Sequence, residues 1–578
     1  MDPKERLIAS AIFIFALVSG GLAVGYEVLW TRHLLNLFGS TTLATAAMLA
    51  AFMAGMALGA LAIGRLSVTS QRPLVLYAGI ELALALYALA FERIAEVVGG
   101  LLPASLMVGT ESVPFILLVR LFGQSAVLLA PTVLMGAALP VLAAALQHVG
   151  ASRQGHVARL YGLNVLGGVL GSAGTGFLLL PSLGLALSQV ALSALAICIA
   201  VAALAVDHLA RSRAVRGRQT LTQESISART IPYATIKWAL FLSGFSALGY
   251  EVVWTRILVL VIGSSTYAFT LMLFAYLLGL ALGALWIARY VERLRAPLVI
   301  FQHLQLGIAL AAVGGIAFFS FLPRLALAGI ATFGGSMLAT VVVNTTTAMV
   351  LVLVPTFFIG AAFPVGVRLL ERGRIRRGRE IGTALACVSS GHVLGVLTTA
   401  LMIVPAAGLR WGIVTLAVGN ALAAALVWSR SPARTPWGRL VTPAAIAGLA
   451  ALAWLLPPWN TFLMTSGIYR QAPAYLSLLG SWRGLERAFS QYRVRFYREG
   501  REAVVAVYER PTLGEKPHVV LTIDGKVDAS TGADMSTQIL SGYIPMLFKP
   551  DAENALVIGL ASGVTVGALA QHALKQID

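Results

Sequence analysis

Apolar runs of about 20 residues follow one another from Leu7 to Leu456, and short polar segments separate them. A helix of that length crosses a hydrocarbon core of ~30 Å. The pattern therefore predicts an α-helical polytopic membrane bundle of thirteen spans. These spans cover residues 7–28, 41–64, 73–91, 114–146, 158–180, 185–206, 235–254, 265–288, 298–322, 338–367, 382–404, 410–429 and 439–457.

The pattern changes after Trp459, where mixed sequence replaces the long apolar runs. Residues 474–490 carry apolar positions at helical spacing on one face, which is typical of a helix lying at the membrane surface. Strands are predicted at 492–499, 503–509 and 518–524, with PTLGEKP as the turn between the last two. A helix over 535–548 comes next. The buried strand 555–559 then runs into a glycine-bearing turn, which indicates the start of a nucleotide-type βα unit.

Composition agrees with a membrane protein, because 58% of the 578 residues are hydrophobic and only 11% are charged. Such values lie far outside those of soluble domains. The net charge of +18 comes mainly from the short loops between spans, since 24 of the 30 lysines and arginines before residue 458 fall on one side of the predicted bundle. We therefore expect a multi-pass protein of the cell (inner) membrane with a cytoplasmic N-terminus, and no nucleic-acid partner.

The side of the C-terminal segment depends on the last predicted span. Thirteen spans place the tail outside, but the thirteenth is short and contains Pro443, so a segment that dips in and returns stays an alternative. A signal peptide is excluded for residues 1–30, because the apolar run is too long and recurs internally. Cys198 and Cys387 both lie in apolar segments and indicate neither a disulfide nor a metal site.

An internal repeat organises the membrane part. GYEVLWTR at 25–32 returns as GYEVVWTR at 249–256, an offset of 224 residues. At the same offset, GMALGALAIGR (55–65) matches GLALGALWIAR (279–289), and PTVLMGAALP (131–140) matches PTFFIGAAFP (355–364). A constant offset indicates a tandem duplication. Six spans per copy, an even number, predict two parallel six-helix repeats around an axis along the membrane normal.

The repeated motif carries the first candidate site residues, Glu27 and Arg32 with their equivalents Glu251 and Arg256. Ionisable groups in a membrane are costly and usually face a bundle interior or a cavity. Two equivalent carboxylates near the axis could bind a cation or carry protons. Alternatively, Glu27 pairs with Arg32 or with a neighbouring helix near the membrane interface. The sequence leaves both interpretations, a ligand-binding role and a structural ion pair, open.

Three further candidates break the repeat. They are Glu81 against Gln305, Arg120 against Asn344, and His392 against Gly168. Asymmetry of this kind is expected where one half of a duplicated bundle has specialised. For each of the three, a satisfied buried contact is the alternative to a functional role.

The tail motifs IDGKVDAST (523–531) and VIGLASGVT (557–565), behind a duplicated GYEVxWTR bundle, give the chain a family resemblance. It resembles the bacterial fusions of a major-facilitator-like (MFS-like) membrane domain with a spermidine synthase. The resemblance implies a small β domain and the start of an α/β Rossmann-like methyltransferase-type domain. It also implies aminopropyl transfer from decarboxylated S-adenosylmethionine to a polyamine.

The same resemblance assigns cofactor-binding roles in the tail. Gly559, Ser562 and Gly563 match the cofactor loop, and Asp528 stands where the family has a glutamine. The family's later Tyr-His-Glu falls on Thr537, Gln538 and Ile539, so those substrate contacts are absent. The catalytic aspartate and the ribose-binding acid would follow Asp578. We therefore expect no catalytic residue within this sequence, which is either a fragment or a lineage that has lost the enzyme.

Two hypotheses about the function follow, and both use the same division of the chain into parts. The first is a membrane-embedded protein that resembles spermidine synthase. For it, the resemblance implies aminopropyltransferase activity and no metal cofactor. The second is a transporter-like protein for polyamines or another small cation, with a vestigial or regulatory tail. The predicted partners are the lipid bilayer and a polyamine, and the oligomeric state stays open. The predicted parts are repeat A (1–210), a basic linker (211–232), repeat B (233–430), a thirteenth span (431–457), an interfacial segment (458–491), a β domain (492–534) and a Rossmann-like start (535–578).

Overall fold

The computed structural model describes residues 3–39, 41–101, 113–149, 154–211, 232–263, 266–333, 336–370, 377–429, 436–456, 458–476, 487, 490–511 and 516–578. Its membrane-region helices are α1 (Pro3–Phe38), α2 (Thr42–Thr69), α3 (Pro73–Leu101), α4 (Val113–His148), α5 (Gln154–Ala173), α6 (Leu180–Arg211), α7 (Tyr233–Ile262), α8 (Thr266–Ala288), α9 (Pro297–Gly315), α10 (Leu322–Phe333), α11 (Met337–Leu370), α12 (Arg377–Thr398), α13 (Val404–Ser429) and α14 (Pro436–Leu455). The predicted basic linker (211–232) and most of the predicted interfacial helix (474–490) lie outside the described residues.

The chain is a multi-pass membrane protein. Within the described residues, ten helices are long and apolar enough to cross a membrane. Two of the ten, Gly155–Ala210 and Gly378–Ser429, are long enough to cross twice, because each joins two helices through a π-helical segment. Each is kinked at a glycine, Gly184 (φ 72°) or Gly408 (φ 77°), where the sequence analysis expects a break.

The thirteenth predicted span differs from the other twelve. Helix α14 comprises the 20 residues Pro436–Leu455 with Pro443 inside it, and the apolar part that the described side chains cover is Pro443–Leu455. Its proline and its short apolar length are the features that make the sequence pattern ambiguous here. Among the described residues, the ten candidate spans, two of which are long enough to cross twice, give twelve crossings before α14.

The two repeats have the same backbone peculiarities at the predicted offset. The π-helical segment Gly174–Leu179 of the first half has its counterpart in Thr399–Ile403 of the second. Equivalent loops after the first helix of each half contain Gly39 (φ 91°) and Gly263 (φ 84°), in the left-handed region that glycine tolerates. The internal duplication predicted from the sequence is confirmed by these features.

Glycines bring helix backbones into direct contact at matching places in each half. A Cβ on Gly59 of α2 would lie 1.8 Å from the carbonyl oxygen of Val133 on α4. The equivalent Cβ on Gly283 of α8 would lie 1.8 Å from the carbonyl oxygen of Phe357 on α11. The packing role that the G-x-x-x-G spacing suggests is therefore present in both halves.

The halves also meet through small residues, at the α2 and α12 pair. A Cβ on Gly382 of α12 would lie 2.2 Å from the carbonyl oxygen of Ala60, and one on Gly64 would lie 3.4 Å from the carbonyl oxygen of Gly378. Close approach at this contact leaves space elsewhere between the halves, where the candidate site lies.

The chain divides into two compact units. The first comprises Met1–Thr255, Phe269–Ile316 and Ala348–Leu456, and it contains most of both repeats. The second comprises Arg256–Ala268, Ala317–Thr347 and Pro457–Asp578. Its C-terminal elements are α15 (Thr461–Met464), α16 (Ile468–Leu476), β1 (Arg493–Glu499), β2 (Val504–Arg510), β3 (His518–Ile523), β4 (Lys526–Ser530), α17 (Met535–Phe548), β5 (Asn554–Ala555), α18 (Val564–Leu569) and β6 (Gln576–Ile577).

Strands β1 to β4 form one antiparallel meander, in which each strand pairs with the next. The three predicted strands and the predicted helix over 535–548 are confirmed. Strand β4 was not predicted from the sequence. Apolar residues of β2, among them Val504, Ala506 and Tyr508, alternate onto the buried face.

The Rossmann-like start is not borne out as a domain. The predicted buried strand 555–559 is reduced to the two residues of β5, which pair in parallel with the two residues of β6. Leu556 and Ile558 are exposed rather than buried, because neither helices nor further strands cover the pair among the described residues. The described residues thus contain a small sheet, and they do not show a Rossmann-like methyltransferase-type domain.

The glycine contacts predict an unequal response to one added methyl group. Gly59→Ala should lower the stability of the bundle by about 1–3 kcal/mol, because the new Cβ overlaps the Val133 carbonyl and the helices must separate. Gly79→Ala on α3 is the matched control, since nothing lies within 4 Å of its Cβ position, and alanine favours helix there. Thermal unfolding of the purified proteins in detergent measures both. Equal midpoints for the two variants would contradict the close contact.

Candidate functional site

A cavity of about 160 Å³ lies between the two halves within the first unit. Its walls come from α1, α2 and α5 of the first half and from α7, α8, α11 and α12 of the second. Most of the lining is apolar, with side chains such as Val24, Leu273 and Phe363. Polar groups are few, and their identity therefore determines what the cavity can bind.

Glu27 and Glu251, the equivalent glutamates of the repeated motif, both line this cavity. Glu251 is 6% exposed, and Glu27 is half-buried. The two side chains therefore border the same space from opposite halves of the bundle. Within the described part of the chain, neither carboxylate is hydrogen-bonded to a protein donor or paired with Arg, Lys or His. Arg32, the partner proposed for Glu27, is exposed and makes no such pair.

Aromatic stacking explains how the motif directs these glutamates. Tyr26 and Trp30 stack on one another with ring centroids 5.1 Å apart, and Tyr250 and Trp254 repeat the distance. All four aromatic side chains are almost fully buried. Residues four apart share a helix face, so the Tyr–Trp face packs into its own half. The glutamate that follows the tyrosine points about 100° away around the helix, toward the other half.

The second half packs its Tyr–Trp face with more hydrogen bonds than the first. Tyr250 donates to Asn420 Oδ1 on α13 (3.1 Å), and Asn420 donates to Gln305 (2.7 Å). In the first half, Tyr26 donates to Ser193 Oγ on α6 at 3.4 Å. Both networks lie on the side of the helix away from the glutamate, and they fix the rotation of α7 and α1.

Other polar groups around the cavity come mainly from one half and break the repeat. His392 on α12 stands opposite Gly168 in the repeat, and its buried Nδ1 has no hydrogen-bond partner among the described residues. Tyr276 on α8 takes the place of Phe52 and donates to the Ala247 carbonyl (3.2 Å). These side chains make the cavity chemically asymmetric although its backbone is symmetric.

Three polar cavity residues, Tyr161, Ser243 and Tyr276, were not identified from the sequence. Tyr161 of α5 lies against Phe363 with ring centroids 4.3 Å apart. Position 161 is tyrosine where the second half has Leu385, so a search for repeat-breaking polar residues would have found it. Ser243 has an equivalent serine at position 19, and no signal in the sequence distinguishes the two.

Glu81 lies outside the cavity, in the core of the first half. It is 1% exposed and accepts a hydrogen bond from Ser19 Oγ (2.6 Å). In the second half, Gln305 donates to Ser243 Oγ (2.9 Å) at the equivalent position. The glutamate and the glutamine thus fill the same structural role, and Glu81 is a satisfied buried contact.

Arg120 also lies away from the cavity. Its guanidinium donates to Thr41 Oγ1, and Thr41 caps the N-terminus of α2 by accepting the Ala44 amide at 3.1 Å. Arg120 therefore stabilises the connection between α1 and α2.

Arg256 belongs to the second unit, where it contacts the tail. Its guanidinium donates to the Arg501 carbonyl (3.2 Å) and lies in the field of Asp524, Glu499 and Glu502. Asp524 accepts the Val504 amide at 2.8 Å. Burial raises the pKa of Asp524, while the Val504 amide and the Arg256 guanidinium act in the opposite direction. The two arginines of the repeated motif have thus diverged.

The predicted cofactor residues of the tail lie near one another only in part. Ser562 donates to Gln538 Oε1 (2.6 Å) in the loop that contains Gly559 and Gly563, both with positive φ. Asp528 lies in β4 and pairs with Lys526 at 2.9 Å. Binding of an adenosylmethionine-type nucleoside by these residues stays a prediction. Among the described residues, no group of three or more His, Cys, Asp or Glu could hold a metal ion.

Comparison with known proteins adds fold-level likenesses. No family model matches the chain, and no curated protein is significantly similar to it. Solved structures do resemble it, and three of them are named here. They are the human organic anion transporter MFSD10 (16% identity, 74% of this chain, 100% of that chain, TM-score 0.46), the nucleoside transporter NupG (12%, 73%, 99%, TM-score 0.40), and a bacterial homologue of the iron transporter ferroportin in the outward-facing state (16%, 73%, 99%, TM-score 0.44).

The spermidine-synthase-like function expected from the sequence is contradicted. No family model and no curated protein supports a fusion with a spermidine synthase, and the solved structures named above, which are transporters, resemble the chain at the level of the fold. In the described tail, the two-residue strands β5 and β6 pair in parallel. The short motifs match at a few positions, and such positions do not specify a whole domain.

The contact of Glu81 predicts that its charge is dispensable. Glu81→Gln should keep the hydrogen bond to Ser19, as Gln305 does in the other half, and should change stability by less than about 1 kcal/mol. Glu81→Leu leaves Ser19 without its partner and should cost about 1–3 kcal/mol. Thermal unfolding in detergent distinguishes the two. A Glu81→Gln variant as unstable as Glu81→Leu would show that the carboxylate itself is required.

The divergence of the two arginines gives a second prediction. Arg256→Gln should destabilise the tail sheet by about 3 kcal/mol, because Asp524 and its neighbours lose a buried counter-charge. Arg32→Gln is the matched control, since Arg32 is exposed at the equivalent place. Hydrogen exchange of amides in β2 and β3 reports the difference. Unchanged exchange in Arg256→Gln would remove the anchoring role.

Proposed function

We propose that the chain is a major-facilitator-like transporter that binds a small cation at Glu27 and Glu251. The observation that carries the proposal is the pair of equivalent carboxylates in one cavity between the halves, without a protein counter-charge among the described residues. Buried charges in membrane proteins are paired, hydrated or functional. Because no cationic side chain among the described residues pairs with these two carboxylates, they can bind a cation that enters the cavity from solution.

The electrostatics favour a cation over an anion or a neutral solute. Two carboxylates in an apolar cavity repel each other, and the repulsion is relieved when a cation or a proton binds between them. Binding of a cation and binding of protons then compete for the same oxygens. Such competition is the physical basis for exchanging one against the other across a membrane.

The cavity also limits the size of the substrate. A volume of about 160 Å³ is small beside the 300–1,000 Å³ typical of drug-sized ligands. Tyr161, Tyr276 and His392 supply aromatic faces and a hydrogen-bonding nitrogen beside the carboxylates. Aromatic faces attract ammonium groups. The substrate class that we propose is therefore a small organic ammonium ion, with short polyamines as the first candidates.

The proposal extends to orientation. The lysine and arginine excess of the loops favours a cytoplasmic N-terminus in the inner membrane. Twelve crossings would return the chain to the cytoplasm before α14, and the side of the tail then depends on whether α14 crosses.

Replacement of the cavity glutamates tests the proposal directly. In proteoliposomes, Glu27→Gln and Glu251→Gln should each reduce exchange of labelled putrescine at least roughly 30-fold, which corresponds to the loss of about 2 kcal/mol when one partner of a buried charge contact is removed. Glu81→Gln is the control, because it neutralises a buried carboxylate outside the cavity. A panel of monoamines, diamines and inorganic cations identifies the class. Equal exchange in all variants, for every cation that the wild type carries, would rule out the pair as the cation site.

A further inference from the structure

A second cleft, of about 560 Å³, lies between the start of α5 and the end of α8, within the first unit. Three arginines line it: Arg159 from α5, Arg289 just after α8, and Arg293 in the short 3-10 turn Val291–Arg293. These elements belong to different halves of the bundle. The cleft lies at the end of the bundle where the loops collect most of the lysines and arginines.

The three guanidinium groups of this arginine cleft have no carboxylate partner among the described residues. Glu292 is the acidic side chain in the lining, and its Oε1 accepts the Gly155 amide (2.9 Å) at the first turn of α5. That carboxylate therefore caps a helix N-terminus, which its charge favours. The cleft keeps an excess of positive charge.

Packing against α1 fixes part of the cleft in place. Phe13 holds the Arg159 guanidinium over its ring, 5.0 Å from the ring centroid, and contacts His156 edge-on at 6.0 Å. An aromatic face orients a guanidinium without neutralising it. Arg159 is thus held toward the cleft with its hydrogen-bond donors available.

Among the described residues, a close helix contact fills the equivalent place in the other pair of helices. There α2 and α12 are in close contact, and a Cβ on Gly378 would lie 2.7 Å from the Ser67 hydroxyl. In the repeat, Thr383 stands in place of Arg159 and Thr69 in place of Arg293. Two of the three arginines thus line an open space, whereas the matching positions on the α12 and α2 side are threonines beside a close helix contact.

From these observations we propose that the arginine cleft binds a phosphate-bearing anion. Arginine presents its N–H groups in a planar fork that matches two phosphate oxygens. Three guanidinium groups around one space therefore favour an anion with several oxygens that accept hydrogen bonds, such as a phosphate group. The proposal is separate from cation transport, because no residue of the cleft lines the central cavity.

The apolar part of the cleft bears on where the phosphate comes from. Leu163 and Leu285 line the cleft together with the arginines. Leu163 is one helical turn beyond Arg159, and Leu285 is one turn before Arg289, on the membrane side of each. An apolar wall beside a cationic rim suits an anionic phospholipid whose chain continues into the membrane. Free phosphate would use the rim alone.

Binding to the purified full chain tests the proposal. The delipidated protein in detergent is titrated with dioleoyl phosphatidylglycerol, with the zwitterionic dioleoyl phosphatidylcholine and with inorganic phosphate, and the shift of the thermal midpoint gives apparent affinities. The Arg289→Gln/Arg293→Gln variant should bind the anionic ligand at least about tenfold more weakly, since each charge-assisted bond contributes enough for such a change. The matched control is Arg65→Gln/Arg379→Gln, which removes two exposed arginines at the equivalent loops of the close-packed side.

Each result has a defined meaning. Tighter binding of phosphatidylglycerol than of either other ligand, lost in the cleft variant and kept in the control, supports a lipid source. Loss of inorganic phosphate binding in the cleft variant alone supports a soluble source. Equal losses in the two double variants, or no binding of either anion by the wild type, would overturn the proposal. Arg293→Gln alone, at an exposed position, gives the same comparison with a smaller loss if the double variant does not fold.

Discussion

Contact between helix backbones at glycine is the constraint on which this bundle depends. At Gly59 and Gly283 a methyl group would overlap a carbonyl oxygen of the neighbouring helix, so each half has little freedom in how its helices cross. Helix association in a membrane relies on such packing, because lipid removes the hydrophobic driving force between helices. With α2 and α12 in close contact, the remaining space between the halves becomes a cavity, and the first helix of each half borders it.

Much of this architecture could be predicted from the sequence, because membrane helices are encoded in long apolar runs and the duplication repeats its motifs at one offset. Glu27 and Glu251 were also accessible, since charged residues in apolar runs are conspicuous. Their surroundings were not. Whether Glu27 pairs with Arg32 or borders a cavity depends on neighbours from the other half, and periodicity along one helix contains no such information. The tail shows the opposite error, since short motif matches were extended to a spermidine-synthase function that the comparisons with known proteins do not support.

Duplication has left a symmetric backbone that carries asymmetric chemistry. The glycine contacts, the π-helical segments and the Tyr–Trp stacks occur in both halves. The differences concentrate where the halves face each other, with His392 opposite a glycine position and arginines at one cleft only. Positions that pack the helices within one half are constrained by the same helix packing in both halves. Positions between the halves are not constrained by that packing, so the residues there are free to differ between the two copies.

The stacked Tyr–Trp pairs have a consequence for movement. Each glutamate is carried on a helix whose opposite face is held by stacked rings and hydrogen bonds inside its own half. Rotation of α1 or α7 about its axis would break those contacts, so the carboxylates cannot turn from one side of the membrane to the other by themselves. Under the proposed transport function, access to the two glutamates changes by each half moving as a rigid block.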